Sequence, residues 1–410
     1  MIQNNKFSSV CASRSNPKWN DFVKRKDELY RRESDIRSEF ARDYNRILHC
    51  TAYRRLKHKT QVFFATGNDH VCTRIEHVNH VAAVSYTISK FLGLNTELTN
   101  AIAIGHDLGH APFGHEGEKV LKTIARKQLK ESFWHERNSL WFVDKLETLS
   151  DQRGKQRNLS LTYAVRDGII SHCGEVDENA IKPRDKMIDL NNIEKANQYQ
   201  PFSWEGCVVK KADKISYLGR DIEDALTLGI LSDSQLEDLS KILNKSIHIV
   251  IRDINNAVLI HRFIIDLCES SSPESGIRFS EQSLQLMGSI KKFNFENIYS
   301  HPRLEYFKKY AGLILKSIFD RLLDFCRHKN VLQQIKEYER LHPLLCDTFS
   351  DWLIKYSDID LEEKKKRKYD NQVVYTMGSR DVYIRAIIHY ISGMTDSFAI
   401  KIFDELTRFL

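Results

Sequence analysis

The sequence predicts an all-α protein: a single elaborated helical domain with additional helices toward its C-terminal end. Three observations lead there. The chain has 17 Gly and 7 Pro in 410 residues, about 6% together where the average is near 12%, too few turn formers for a sandwich, barrel or propeller. Apolar residues recur at steps of three and four through most of its length, the period of a half-buried helix. Against the general scarcity, Gly105, Gly109, Gly114 and Gly117 crowd into the string GHDLGHAPFGHEG together with three histidines, so one helix is interrupted where chemistry-bearing side chains gather.

Taken in order, residues 1–20 read as a polar, flexible lead-in. From Asp21 to about Lys59 the chain is dense in charge, with Ile36, Phe40, Tyr44, Ile47 and Leu48 at helical spacing, which predicts one or two amphipathic helices. A helix over 74–92 turns Ile75, Val78, Val81, Ala82, Val84 and Ile88 inward and stops at Gly93. Asn95 or Thr96 caps the next, which runs through Ala101 and Ile104 to the glycine cluster. The segment 208–228 carries the apolar stripe Ala212, Ile215, Leu218, Ile222 and Ala225. Beyond 230 come further amphipathic helices, with the charge run LEEKKKRKYDN (361–371) as an exposed loop. No linker-like stretch divides the chain, so one domain spans 21–410, with a metal and catalytic core over about 54–228 and a helical extension over about 229–410.

Lys and Arg number 62 against 55 Asp and Glu, a net charge of +7, which suits an anionic small molecule or a nucleic-acid surface without demanding either. Eight cysteines show no CxxC spacing, unlike a disulfide scaffold, and point to a reducing, cytoplasmic setting. No apolar run approaches the ~18 residues of a membrane span, so no membrane partner is expected.

Seven of the sixteen histidines (70, 77, 80, 106, 110, 115 and 135) fall between positions 70 and 135. Crowded imidazoles suit a metal ion or acid–base work. His106 and Asp107 are adjacent, and neighbours on a regular helix point about 100° apart. Both can face one ion only where the backbone leaves helical geometry, a departure that Gly105 and Gly109 permit. His77 on the preceding helix could add a nitrogen and Asp213 on the later helix an oxygen. Asp213, Tyr217, Asp221 and Asp224 share the face opposite the 208–228 apolar stripe. Two imidazoles and two carboxylates suit Mn²⁺, Mg²⁺, Fe²⁺, Co²⁺ or Zn²⁺ without choosing among them, and such an ion activates water and polarises phosphoryl oxygens.

The order His77, His106–Asp107, Asp213 resembles the H…HD…D signature of HD-domain metal-dependent phosphohydrolases. More narrowly, HDLGHAPFGHEGE (106–118) resembles the glycine-rich motif of the deoxynucleoside triphosphate triphosphohydrolases, the bacterial dGTPase and dGTPase-like proteins. RDYNRILHCTAYRRLKHKTQVF (42–63), TRIEHVNHVAAV (73–84), NLSLTYAVRDGIISHCGE (158–175), KKADKISYLGRDIEDA (210–225) and YISGMTDSFA (390–399) agree in the same order, while 230–370 matches least.

The resemblance implies hydrolysis of dNTPs, dGTP among them, to deoxynucleoside and inorganic triphosphate by attack of water at the α-phosphorus. It implies His77, His106, Asp107 and Asp213 as metal ligands, with Mn²⁺ or Mg²⁺ favoured. His115 and Glu118 become the catalytic pair, and His110 a donor or acid near the α-phosphate. Arg74, Lys214 and Tyr217 match triphosphate contacts, Asp221 lies near sugar and phosphates, and Gln61 and Val62 approach the deoxyribose and base. Homo-oligomers, tetramers or hexamers, and a second nucleotide as allosteric activator also follow from the resemblance. The alternatives are an HD phosphohydrolase acting on other nucleotides, and a nucleotide-sensing or single-stranded nucleic-acid binding protein using the basic run 364–368.

Departures are local. WHERNS places His135 early and Arg137 where many relatives carry histidine, and Arg220 and His389 stand where relatives often carry His and Asp. His80 reads as a buried structural histidine, and His70 and His172 as loop or surface residues, although the resemblance leaves His172 near the site.

Overall fold

The computed structural model describes residues 5–29, 34–64, 68, 70–173, 179–247, 256–327 and 330–408. Positions 1–4 of the lead-in, 30–33 of the expected N-terminal helices and 174–175 at the end of one motif block lie outside the described residues. The fold is all-α. The described chain opens with α1 (Trp19–Phe22), α2 (Glu39–His49) and α3 (Thr51–Arg55). Around the site follow α4 (Arg74–Leu92), α5 (Thr96–Gly105), α6 (Gly114–Leu129), α7 (His135–Trp141), α8 (Tyr163–Ser171) and α9 (Trp204–Thr227). A two-stranded antiparallel ribbon, Thr148–Ser150 with Gln156–Asn158, separates α7 from α8. The extension comprises α10 (Asp233–Ile247), α11 (Asn256–Ser270), α12 (Glu281–Asn294), α13 (Pro302–Asp324), α14 (Val331–Tyr338), α15 (Pro343–Tyr356), α16 (Leu361–Lys366), α17 (Arg380–Ser392) and α18 (Asp396–Thr407). One contiguous apolar core runs from Phe7 to Ile402.

The helices that position the site follow their local signals. Thr73 and Glu76 form a capping box at the start of α4, satisfying two amides that a helix start leaves unpaired. Gly93 ends it at φ 79°, where a Cβ would come within 2.9 Å of Asn5 Cα, so glycine is required twice over. Asn95 caps α5 by accepting from the amides of Glu97 and Leu98. In α9 the stripe Ala212, Ile215, Leu218, Ile222 and Ala225 is fully buried, and α4, α5 and α8 pack around that helix.

Three expectations are corrected. The lead-in is not loose where it is described: Phe7 is buried, packs edge-on against Trp204 and donates its N–H to Leu92 O at 2.9 Å. Ala12 N–H donates to Glu205 Oε1 at 2.9 Å while Asn95 Nδ2 donates to Ala12 O at 2.7 Å, so two buried aliphatic and aromatic anchors tie a polar-looking segment to three helices. Ile36 is 99% exposed and precedes the Ser38 cap of α2, so the inward stripe begins only at Phe40. The run 361–371 is not simply a loop. Asp360 caps α16, Lys364 is buried with Nζ donating to Lys355 O, and Arg367 pairs with Glu363 and Asp351. Those pairings draw charge out of the basic run proposed for nucleic acid. No described helix is long and apolar enough to cross a membrane, and all eight cysteines are free.

Candidate metal and catalytic site

The site forms where α4, the α5–α6 turn and α9 meet. His77 comes from the first turns of α4, His106 and Asp107 follow α5, and Asp213 lies mid-way along α9. His77 Nε2 is 3.0 Å from Asp213 Oδ1, and His106 Nε2 is 4.0 Å from the same oxygen and 3.7 Å from Asp107 Oδ1. Ligand atoms of His77, His106 and Asp213 all lie within 4.8 Å of one another, as do those of His106, Asp107 and His172. His106 Nδ1 lies 2.6 Å from Ala103 O, a carbonyl that only an N–H can donate to, so in the neutral tautomer that binds a metal the lone pair is on Nε2. That Nε2 is buried with no hydrogen-bond partner. A buried acceptor aimed at two carboxylates and a second imidazole is what a divalent cation satisfies, so the donor set fits one.

The electrostatics agree. Burial works against both charged carboxylates, yet the His77 hydrogen bond and the surrounding imidazoles bring Asp213 down to about 2. Asp107 is held well below the carboxylate range, against its own burial, by the Arg74 guanidinium and His106, His110 and His135. Arg74, expected at the triphosphate, is buried. It donates to Asp107 Oδ2, to Thr60 O at 3.3 Å and to Gln61 O at 3.4 Å, so in this state it braces a candidate ligand.

A second group lies one turn along. Glu118 on α6 faces His115 at 3.8 Å and His110 at 3.9 Å, but its shortest pairing is with His135, whose Nδ1 lies at 2.9 Å and whose backbone N–H donates at 3.1 Å. Burial opposes a charge on His135, but Glu136, Glu118 and Asp107 lift it well above its ordinary range. Burial together with Arg74 and His135 pushes His110 well down, so at neutral pH it is an uncharged imidazole and a donor rather than an imidazolium acid. His110 and His135 stack with centroids 4.6 Å apart.

The glycines act differently from the expectation. Gly105 and Gly109 do not have positive φ; a Cβ on Gly105 would come within 2.8 Å of Ile169 Cδ1, and one on Gly109 would collide with the Ser139 and Asn138 backbone. They permit close approach of neighbouring helices. The left-handed residues are Phe113 at φ 63° and Gly114 at φ 61°. Phe113 bears a cost of about 1 kcal/mol or more there and offsets it by burial against Phe64 and Phe307.

Most of the expected residues converge, and a few additional ones join them. Gln61 is buried beside the turn with Oε1 unpartnered, Val62 packs at the core edge, and Lys214 is buried next to Asp213. Tyr217 and Asp221 lie farther along α9, where Tyr299 donates its hydroxyl to Asp221. His172, expected in a loop or at the surface, is instead fully buried with its ring 4.8 Å from His106, because α8 ends directly beneath the α5 turn. His80 is half-buried and His70 exposed, both outside the donor groups. Tyr299 carried no local signal; Lys59 and Asp396 fall inside the matching blocks 42–63 and 390–399, but their contacts, distant in sequence, have no local pattern.

The residues 74–218 match the HD domain family model. The chain is 32% identical over 372 residues to the deoxyguanosinetriphosphate triphosphohydrolase-like protein of Caldanaerobacter subterraneus subsp. tengcongensis, covering 91% of this chain and 86% of that one. The chain belongs to this family. Another of its deoxyguanosinetriphosphate triphosphohydrolase-like relatives, from Desulfatibacillum aliphaticivorans, is 38% identical over 288 residues, 70% of this chain and 73% of that protein. A third, from Rickettsia bellii, is 28% identical over 416 residues, 94% and 96% of the two chains. Membership makes the chain an HD-class hydrolase, a class that binds divalent metal ions.

Asp221 gives a pH prediction. Burial pushes its carboxyl up to about 7, against the Tyr299 hydroxyl and with Asp224 adding to the rise. A folded pKa above the unfolded one means the native state holds the proton more tightly between about pH 4 and 7, so this contribution to stability is full below that window and lost as pH rises through it. In metal-free protein, Asp221→Asn should therefore gain in melting temperature over wild type as pH rises from 4 to 7, by the equivalent of about 1–3 kcal/mol. A constant difference across the window would show that Asp221 titrates normally.

Proposed function

We propose that this protein hydrolyses deoxynucleoside triphosphates, dGTP among them, to deoxynucleoside and inorganic triphosphate, by attack of water at the α-phosphorus. The observation that carries the reading is the adjacency of the two groups: a His77–His106–Asp213 cluster, joined through His106 to Asp107, beside a Glu118–His135–His115 set. The names of the relatives supply the nucleotide class.

His77, His106, Asp107 and Asp213 would hold the ion, Mn²⁺ or Mg²⁺, with Co²⁺, Fe²⁺ and Zn²⁺ also compatible with the donor chemistry. Such an ion supplies charge stabilisation at a phosphoryl oxygen and a more acidic water. Arg74 keeps Asp107 ionised and oriented, and its remaining N–H groups can meet a triphosphate oxygen. Lys214 and Tyr217 line the triphosphate, Asp221 the sugar, and Gln61 and Val62 the deoxyribose and base. Glu118, ionised by its imidazole neighbours, orients His115 and His135. His115, the most exposed of these histidines with half its side chain open, can carry a proton toward the leaving 5′-oxygen. His110 donates a hydrogen bond to the α-phosphate.

The test is product analysis. Purified protein with Mn²⁺ or Mg²⁺ and each dNTP, singly and in pairs, should release deoxynucleoside and tripolyphosphate, and in ¹⁸O-water the label should enter the tripolyphosphate. Release of phosphate or pyrophosphate would assign the site to other nucleotide chemistry, and label in the deoxynucleoside would overturn attack at phosphorus. His115→Ala should keep Mn²⁺ affinity and lose roughly 100-fold or more in turnover. The paired-nucleotide profiles test activation by a second nucleotide, and light scattering tests assembly into tetramers or hexamers.

A further inference from the structure

Asp396, the first residue of α18, lies 283 positions after Phe113 and 336 after Thr60, yet its carboxylate touches both. Oδ1 accepts the Phe113 N–H at 2.8 Å and Oδ2 accepts the Thr60 N–H at 2.8 Å. Beside it Nζ of the fully buried Lys59 donates to Ser392 O at 3.0 Å and to His110 O. Neither amide has an intrahelical partner: Thr60 sits in the extended stretch before α4, and Phe113 is the left-handed residue before α6. A buried unpaired amide is costly, and a carboxylate is the side chain that accepts from two separate N–H donors at once.

Each contact leads to a different wall of the site. Lys59 O accepts the Arg74 N–H at 3.0 Å, and Thr60 O and Gln61 O accept from the Arg74 guanidinium, which holds Asp107. Phe113 and His110 bound the turn that delivers His110, His115 and Glu118. We propose, resting on the functional reading above, that Asp396 and Lys59 form a bracket between the C-terminal extension and the site, positioning Asp107 relative to His110 and His115. Neither residue contacts the donor set or would touch substrate; both act through the backbone they hold. The extension thereby takes part in turnover, and separation of the two reacting groups is set from outside the segment that matches the HD domain.

The conservative variant Asp396→Asn keeps shape but offers an NH₂ where one of the two amides needs an acceptor. Turnover of dGTP with Mn²⁺ should fall on the order of 10- to 100-fold, as for a displacement of about 1 Å at reacting groups, with KM changed less than threefold. Amide exchange should accelerate at Thr60 and Phe113 in metal-free protein. Lys59→Met, which leaves the carboxylate in place, should lose turnover less steeply and loosen the His110 segment. A merely structural role would lower the melting temperature while leaving turnover per folded molecule unchanged. Turnover within twofold of wild type in Asp396→Asn, or unchanged exchange at both amides, overturns the bracket. If the wild type hydrolyses no dNTP, the functional reading fails, and the exchange measurement alone still decides the bracket.

Discussion

Asp213→Ala should abolish metal-dependent turnover, lowering it by about a thousandfold or more, while leaving the protein folded. One oxygen of this carboxylate lies 3.0 Å from His77 Nε2 and 4.0 Å from His106 Nε2, and losing one of the four proposed ligands would remove a large share of the charge stabilisation that an ion contributes, where about 1.4 kcal/mol is tenfold in rate. The fold should tolerate the change, because the packing face of α9 lies on the opposite stripe and the group lost is one whose burial was unfavourable without its imidazole neighbours. Asp107→Ala makes the instructive contrast. It should lose turnover equally but also destabilise the protein, by about 3 kcal/mol or more, since it leaves the Arg74 guanidinium buried without its carboxylate. Mn²⁺ binding followed by electron paramagnetic resonance, read beside thermal melts, separates the two: both variants lose affinity and only Asp107→Ala loses stability. Retained turnover in either variant would remove that residue from the ligand set.

That contrast also shows which parts of the site were legible in the sequence. The positions of the proposed ligands were, because helix signals govern them: the Thr73–Glu76 box fixes where His77 lies on α4, Asn95 fixes α5 and hence the turn that carries His106 and Asp107, and the apolar stripe fixes the rotation of α9 and so the direction of Asp213. Periodicity determines which way a helix faces. Arg74 is expected at the triphosphate, but it holds a carboxylate 33 positions away, and no local pattern reports such a pairing. His135 was noticed only as a displaced histidine; its hold on Glu118 depends on α7 returning across the α5–α6 turn. Burial was misjudged for His172, since a histidine at a helix end looks like a surface residue until a second helix end covers it. The run at 361–371 misled in the opposite direction: clustered charge reads as solvated, but Asp360 supplies a cap and Lys364 a buried contact, which together make a short helix.

Gly109→Ala should be severely damaging, costing about 3 kcal/mol or more of stability and at least 100-fold in turnover. The reason is approach, not dihedral freedom. Gly109 has no positive φ, so alanine is acceptable to its own backbone, but the added Cβ would occupy the space of the Ser139 and Asn138 main chain. Backbone cannot rotate aside as a long side chain can, so α7 must move away, an overpacking cost that falls on a buried helix contact. Two hydrogen bonds register that movement: Gly109 N–H donates to Ser139 Oγ at 2.9 Å, and Asn138 Nδ2 donates to Gly109 O at 2.5 Å. The same α7 carries His135 against Glu118 and His110, so a shift that relieves the clash also opens the catalytic group. Turnover should therefore fall further than the loss of folded protein accounts for, with Mn²⁺ affinity largely kept because His77, His106 and Asp213 are anchored on α4, α5 and α9. Turnover per folded molecule measured below the melting transition, compared with Mn²⁺ affinity, checks this. Equal losses of turnover and affinity would instead mean that the collision displaces Asp107, and that the α5–α6 turn yields before α7 does.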